Sequence, residues 1–514
     1  MNLAEVTSRA LNGIHSPKVS VEVHASNGLP SFSIVGLPEA SVKESKDRVR
    51  SALLSSGFEF PPKRITVNLA PADLPKSGGR YDLPIAVGIL VATEQLSAVN
   101  LSNFELIGEL ALNGEIRPIK GALPSLLAAK EDGKFCILPM DNYEEAEVSL
   151  LEHQPQAHFV LVNDLKEVCQ VLQGERIVQP EMKAIIRTEA LLNYGHDLSD
   201  VVGQHQAKRV LEVCASGHHS LMMVGPPGSG KSMLASRLVT LLPPLTNEEA
   251  IESAAIHSVS NAEPRLEGFY QRPYESPHHT SSAAALIGGG SYPKPGAISL
   301  AHHGILFLDE LPEFNRTALE ALREPLEAKH VDVSRVNQQV RFPADCLLVT
   351  AMNPSPSGFF SDDPLGRCSD TPDQIARYQK KISGPLLDRI DLHLEIPPVD
   401  VSELQGGGES GEKSADVRQR VIVTRAIQLE RQGCLNAALS VKDLQRYITL
   451  DAMSKTILER AVNQLGLSAR GYHRVLRIAR TLADMSNASA VESQHIAEAL
   501  SYRALNRLST RSRM

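Results

Sequence analysis

The chain has 514 residues, of which 42% are hydrophobic and 22% charged, and its formal net charge is −8. At about 150 residues per domain, that length suggests roughly three domains of ordinary globular composition. A mostly disordered chain is excluded, and so is a broadly basic surface, although a local basic channel for nucleic acid is not.

Residues 1 to about 172 read as one mixed α/β unit. Residues 19–24 alternate apolar and polar as a half-buried strand does, 33–36 form a second short strand, and 41–56 carry apolar residues at helical spacing. Residues 65–69 predict another strand, Gly78-Gly79 a turn into a buried helix starting near Leu83, and 106–119 a hairpin around Asn113-Gly114. The more polar stretch 173–200 reads as a linker with one helix. From 201 to about 400 a second unit opens strand–loop–helix and continues through short β-rich runs. A glycine-rich polar connector, 401–413, then leads to an all-helical unit at 414–514. The fold class is therefore multi-domain α/β. The basic tail, with Arg503, Arg507, Arg511 and Arg513, reads either as a frayed terminus or as a DNA-binding arm. The longest apolar run, 83–92, is about half of what a bilayer-spanning helix needs, and no signal peptide is visible. Six widely spaced cysteines without a CxxC pair fit free thiols in a reducing cytoplasm.

The strongest motif is Gly225-Pro226-Pro227-Gly228-Ser229-Gly230-Lys231-Ser232, the phosphate-binding pattern G-x4-G-K-[ST], set between an apolar strand at 221–224 and an amphipathic helix at 231–242. Its glycines let backbone N–H groups approach phosphates, and the helix N-terminus adds positive potential. Lys231 brings a cation to the phosphates and Ser232 a hydroxyl oxygen to Mg²⁺, so ATP and Mg²⁺ are the expected cofactors. A buried strand at 305–308 ends in Asp309, suited to the Mg²⁺ shell, and Glu310, suited to polarising the attacking water. A further apolar strand ends at Asn353, which either orients water beside the γ-phosphate or merely opens the turn before Pro354. Arg389, next to Asp388 and Asp391, either reaches a neighbouring subunit's nucleotide or pairs with a carboxylate of its own chain. Arg470, Arg474, Arg477 and Arg480 recur at helical spacing; one of them can sense ATP, and the others read as a solvated basic face. Three His-His pairs, at 218–219, 278–279 and 302–303, have no Cys or carboxylate at metal-ligand spacing, so no zinc site is expected.

Together these residues resemble the AAA+ ATPases of the magnesium-chelatase-like branch, specifically the ComM/YifB family. The resemblance runs through residues 35–38 (VGLP), 67–74 (VNLAPADL), 81–86 (YDLPIA), 287–290 (IGGG), 300–310 (LAHHGILFLDE) and 382–391 (ISGPLLDRID), and so spans nearly the whole chain. It implies a Lon-protease-like N-terminal domain, a AAA+ core and a helical lid. It also implies a homo-hexameric ring that drives DNA branch migration in natural transformation. On the same ground Asn353 is the first sensor, Arg389 a finger acting on the neighbour's nucleotide, and Arg470 the lid sensor. The stretch from about 251 to 303 would be an insertion, and 331–342 a hairpin, both facing a central pore. Lys294, Arg335 and Arg341 are the candidate DNA contacts there.

The chain departs from the pattern in two places. Tyr81-Asp82 stand near where Lon-type proteases carry their serine, and Leu123 about where the catalytic lysine belongs, so peptide cleavage lacks an activated nucleophile. Many relatives carry a cysteine cluster after the first sensor; only Cys368 remains here. The functional alternatives are a DNA motor and a chelatase-type motor that remodels a partner for Mg²⁺ insertion, although motors of the second type lack so large an N-terminal domain.

Overall fold

The computed structural model describes residues 2–97, 100–151, 157–175, 177–180, 194–260, 268–290, 293–335, 338–398, 411–465 and 467–503. The expected linker helix, most of the connector, and Arg507, Arg511 and Arg513 lie outside those residues.

The first sheet contains β1 (Leu3–Arg9), β2 (Lys18–Ser26), β3 (Ser31–Val35), β4 (Arg64–Ala70), β5 (Phe104–Leu106), β6 (Phe135–Pro139) and β7 (Phe159–Val162), in the order β3-β4-β2-β1-β5-β6-β7. β2 runs antiparallel to both of its neighbours, and the remaining pairs are parallel. Alternation in β2 sends Val19, Val21, Val23 and Ala25 into the core. The buried helix α1 (Asp82–Ala92) lies on this face. Glycine is required in its middle, because a Cβ at Gly88 would come within 2.5 Å of Val23 Cγ2. The expected Asn-Gly hairpin is only two residue pairs long, Glu109–Leu110 against Ile116–Arg117, and Leu106 instead ends a strand of the main sheet.

The second sheet contains β8 (Leu221–Val224), β9 (Tyr274–Glu275), β10 (Ile305–Leu308), β11 (Leu347–Met352) and β12 (Leu392–Glu395), all parallel, in the order β9-β10-β11-β8-β12. Burial on both faces explains why these strands read as continuous apolar runs. One face shares a core with α3 (His205–Gly217) and α4 (Lys231–Leu241), and the other with the hairpin His330–Arg335/Gln338–Pro343. Edge strand β9 corrects the expectation that 251–303 is one insertion. Part of that stretch belongs to the core sheet, and a short ribbon, Gly288–Gly289 against Lys294–Pro295, follows it.

Among the described residues, the first unit docks on the second at two places. Helix α2 (Ala122–Glu131) packs on α5 (Asn247–Val259), where the Gly121 N–H donates to Ser258 O at 3.0 Å and the Ser258 hydroxyl meets the buried Glu145 carboxylate. The turn after β1 presses on the hairpin, and a Cβ at Gly13 would lie 2.5 Å from Val340 Cγ1.

The C-terminal helices, including α6 (Ser414–Gln432) and α7 (Ala469–Met485), attach to one edge of the second sheet. Arg425 donates to Ala215 O (2.6 and 2.8 Å), Gln428 to Ser216 O (3.1 Å) and Arg418 to Thr240 O (3.1 Å). His219 Nε2 lies 2.8 Å from Thr481 Oγ1. Ala215 and Ser216 end α3, Thr240 lies near the end of α4, and His219 precedes β8. All four mark the N-terminal edge of the parallel strands, so these helices sit behind the sheet.

Candidate nucleotide-binding site

The phosphate loop leaves the C-terminal end of β8. Gly228 (φ 76°) and Gly230 (φ 87°) take the left-handed conformation, and no atom lies within 4 Å of where their Cβ atoms would be. Gly225 is glycine for the opposite reason: a Cβ there would sit 2.5 Å from Ile396 O. Helix α4 starts directly after Gly230 with no side-chain cap, so its first N–H groups are left for a ligand. The Ser229 hydroxyl is buried and has no hydrogen-bond partner among the described residues.

Strand register brings the other groups to the same edge. Val224 pairs with Met352 and Leu308 with Thr350, which places Gly225, Asp309 and Asn353 at three adjacent strand ends. Lys231 Nζ donates to Gly225 O (2.7 Å), Pro226 O (2.9 Å) and Asn353 Oδ1 (3.2 Å). Burial pushes its ammonium down, against the pull of Asp309 and Glu310. Ser232 Oγ donates to Asp309 Oδ2 at 2.6 Å, and the Glu310 N–H holds the other Asp309 oxygen at 2.9 Å. Glu310 itself has φ 51°, an uncommon conformation for a non-glycine residue.

The histidine pairs behave differently from expectation, because each finds carboxylates from distant parts of the chain. His279 Nδ1 lies 2.9 Å from Glu310 Oε2, which makes it a site residue that the sequence did not single out. His302 and His303 both face Glu252 (3.2 and 3.0 Å), and their hydrogen bonds hold its carboxyl well below the usual range. The ligand atoms of this trio lie within 4.8 Å of one another. The Asp345 N–H donates to His302 Nδ1 at 2.9 Å, which occupies that nitrogen's lone pair. His219 Nδ1 lies 3.4 Å from Asp391, and His218 Nε2 3.9 Å from Asp345. Cys368 lies near the hydroxyls of Ser355 and Ser357, and its thiol is free, as are the other five.

Two arginines stand apart from this group. Arg389 precedes β12 at the opposite edge of the sheet and pairs with Glu327, not with Asp388 or Asp391. Arg470 is exposed in the first turn of α7 and makes no hydrogen bond or ion pair among the described residues. Its companions are not a solvated basic face. Arg474 binds Asp391 (2.6 Å), Arg477 binds Leu439 O (2.6 and 2.9 Å), and Arg480 is buried against Asp484 (2.8 Å). Polar partners supplied by other segments pull these cations inward, and helical spacing does not reveal that.

Of the candidate DNA contacts, Lys294 is exposed and unpaired among the described residues. Arg335 lies at the end of its strand. Arg341 forks onto Asp332 across the hairpin (2.8 and 3.0 Å), which spends its charge locally. Leu123, expected about where Lon-type proteases carry their lysine, is fully buried in the cluster that joins α2 to α5. No described helix is long and apolar enough to cross a membrane.

Three family models match the chain: magnesium chelatase, subunit ChlI, over residues 197–404; subunit ChlI of Mg-chelatase over 21–142; and the ChlI C-terminal region over 411–503. Competence protein ComM of Haemophilus influenzae is 48% identical over 511 residues, covering 99% of each chain. The uncharacterized protein YifB of Escherichia coli is also 48% identical, over 99% of this chain and 98% of its own. Lon protease 2 of Bacillus subtilis is similar over 29% of each chain, at 26% identity. Identity near one half along the whole length means that the chain belongs to the ComM/YifB family, a magnesium-chelatase-like branch of the AAA+ ATPases.

Proposed function

We propose that the protein is an ATP-driven, ring-forming DNA motor of the cytoplasm, a homo-hexamer that moves branched DNA during natural transformation. The observation that carries the ATPase part is the convergence of Lys231, Ser232, Asp309, Glu310 and Asn353 at three adjacent strand ends. The open space over Gly228 and Gly230 and the orphaned Ser229 hydroxyl fit a phosphate chain. The Ser232–Asp309 pair fits Mg²⁺, a hard cation that takes oxygen ligands. MgATP supplies the reactive γ-phosphoryl group when bound. Lys231 and the first N–H groups of α4 then neutralise phosphate charge, Glu310 polarises the attacking water, and Asn353 orients it.

On this reading Arg389 completes a neighbour's site, and Arg470, carried at the same rear edge, senses that neighbour's nucleotide from the lid. The chain then divides into a Lon-like domain (1–172), a linker (173–200), the AAA+ core (201–400), a connector (401–413) and the lid (414–514). The N-terminal domain serves as a collar without protease activity, since Leu123 replaces the lysine and is covered by α5. The DNA part rests on the relative named a competence protein and on the exposed Lys294, with Arg335 as a further contact and Arg341 only if it leaves Asp332.

Purified protein, ATP and a labelled four-way or three-stranded junction test this. ATP-dependent strand-exchange products, absent with Lys231→Ala, are expected; hydrolysis with unchanged junctions would overturn the DNA part. The chelatase family models favour a second reading, a motor for Mg²⁺ insertion into a porphyrin. Stimulation of insertion by a chelatase partner, with inert junctions, would favour it.

A further inference from the structure

Arg389 is already occupied within its own chain. Its NH2 lies 2.5 Å from Glu327 Oε1, and its NH1 donates to Pro385 O at 2.7 Å. Its Nε is buried and has no hydrogen-bond partner among the described residues. The Arg389 side chain is 12% exposed, whereas the Glu327 side chain is 58% exposed. Both line an open cavity of about 470 Å³ together with Glu320, Arg323 and Glu324. Arg323 binds Glu320 at 2.6 Å, so among the cavity's cations Arg389 is the one that meets Glu327.

We propose that Glu327 is a latch for Arg389: it parks the guanidinium inside its own subunit until the phosphates of a neighbouring subunit draw it out. This rests on the in-trans role proposed for Arg389 and names the regulation of that role. The local chemistry suits a contact made to be broken. Glu327 sits in the last turn of the helix Arg323–Ala328, where the helix dipole disfavours a carboxylate, so its place is not explained by helix stability. A pair with one solvated partner shifts an equilibrium only about two- to fivefold. A triphosphate carries more charge and accepts the guanidinium fork at two oxygens, so it displaces one screened carboxylate. The unpaired Nε means that the parked state leaves a donor unused, as a resting position does and a finished structural bridge does not.

The test is steady-state ATPase of the full-length chain carrying Glu327→Gln, which keeps the shape and removes the charge. The expected result is a two- to fivefold higher kcat, with KM for ATP and the thermal unfolding midpoint unchanged. The double variant Glu327→Gln/Arg389→Ala should be as inactive as Arg389→Ala. Mixing Arg389→Ala with excess Lys231→Ala should restore some hydrolysis, since an intact Lys231 site then meets a neighbour's intact Arg389. If Glu327→Gln is no faster than the wild type while Arg389→Ala is inactive and rescued by mixing, the latch is wrong and the finger stands. If Glu327→Gln is slower and melts earlier, the pair is only structural. If Arg389→Ala hydrolyses ATP at the wild-type rate, the in-trans reading itself fails.

Discussion

Replacing Asp391 with Asn should weaken the attachment of the C-terminal helices to the ATPase sheet. Asp391 is 8% exposed and holds Arg474 NH1 at 2.6 Å, the Ser220 N–H at 3.3 Å and His219 Nδ1 at 3.4 Å. Burial alone would raise its carboxyl, but the His219 hydrogen bond and the charges of Arg474 and Arg477 more than offset this and hold it well below the usual range. The Asn side chain fits the space but leaves Arg474, itself 12% exposed, as an uncompensated cation. Breaking a buried pair from one side costs about 3–5 kcal/mol, and partial exposure of Arg474 points to the lower end, about 3. For a unit of roughly 200 residues that lowers the melting midpoint by about 6–12 °C. The sign with pH follows from the depressed pKa. The carboxylate's stabilisation is complete above its unfolded value near 4 and is lost as pH falls below that. Circular dichroism of urea unfolding at pH 7 and pH 3 measures both effects, since the chain has no Trp to report by fluorescence. A difference between wild type and Asp391→Asn under about 1 kcal/mol at pH 7, or one that does not shrink at pH 3, would refute the reasoning.

Lys231→Ala should lose tight ATP binding, whereas Glu310→Gln should bind ATP and hydrolyse it about 10²- to 10⁴-fold more slowly; nucleotide titration and phosphate release separate the two. His279→Ala frees the Glu310 carboxylate from its 2.9 Å partner and should lower kcat about 3- to 10-fold at unchanged ATP affinity, with partial recovery in His279→Asn. Equal kcat in all three proteins would remove His279 from the site. ATP-dependent degradation of casein should be absent, and degradation that survives repurification would contradict the covered Leu123.

The motifs that lie on consecutive residues were legible. The phosphate loop needs glycines at fixed offsets between a strand and a helix, and Asp309-Glu310 close a four-residue apolar strand, so local sequence carries both. What the sequence hides is pairing across distance. Glu252 meets His302 and His303 from 50 residues away in the chain, Glu310 meets His279, and Asp391 meets Arg474 across 83 positions. No periodicity encodes those contacts. Strand β9 was missed because two residues, Tyr274 and Glu275, are too few to alternate; their partner Ile305–Leu306 in β10 defines them as a strand.

The sheet itself bears on why hydrolysis would need more than one subunit. Its strands are all parallel, so every strand presents the same end to the same edge. Lys231, Asp309, Glu310 and Asn353 follow C-terminal ends, while Arg389 and Asp391 precede the N-terminal end of β12. From Asp391 to Ile396, beside Gly225, the chain climbs five residues at about 3.3 Å each, roughly 16 Å, which is longer than an arginine side chain. Arg389 starts two residues further back. The C-terminal helices occupy the same rear edge through Arg474 and His219, so the sheet separates Arg389 from the phosphate loop of its own subunit. If Arg389 acts as proposed, a fold with the phosphate loop on one edge and Arg389 on the other needs a second copy to present its front edge to this copy's rear. Under the proposed in-trans role of Arg389, a closed ring would be the smallest object in which every site has both halves.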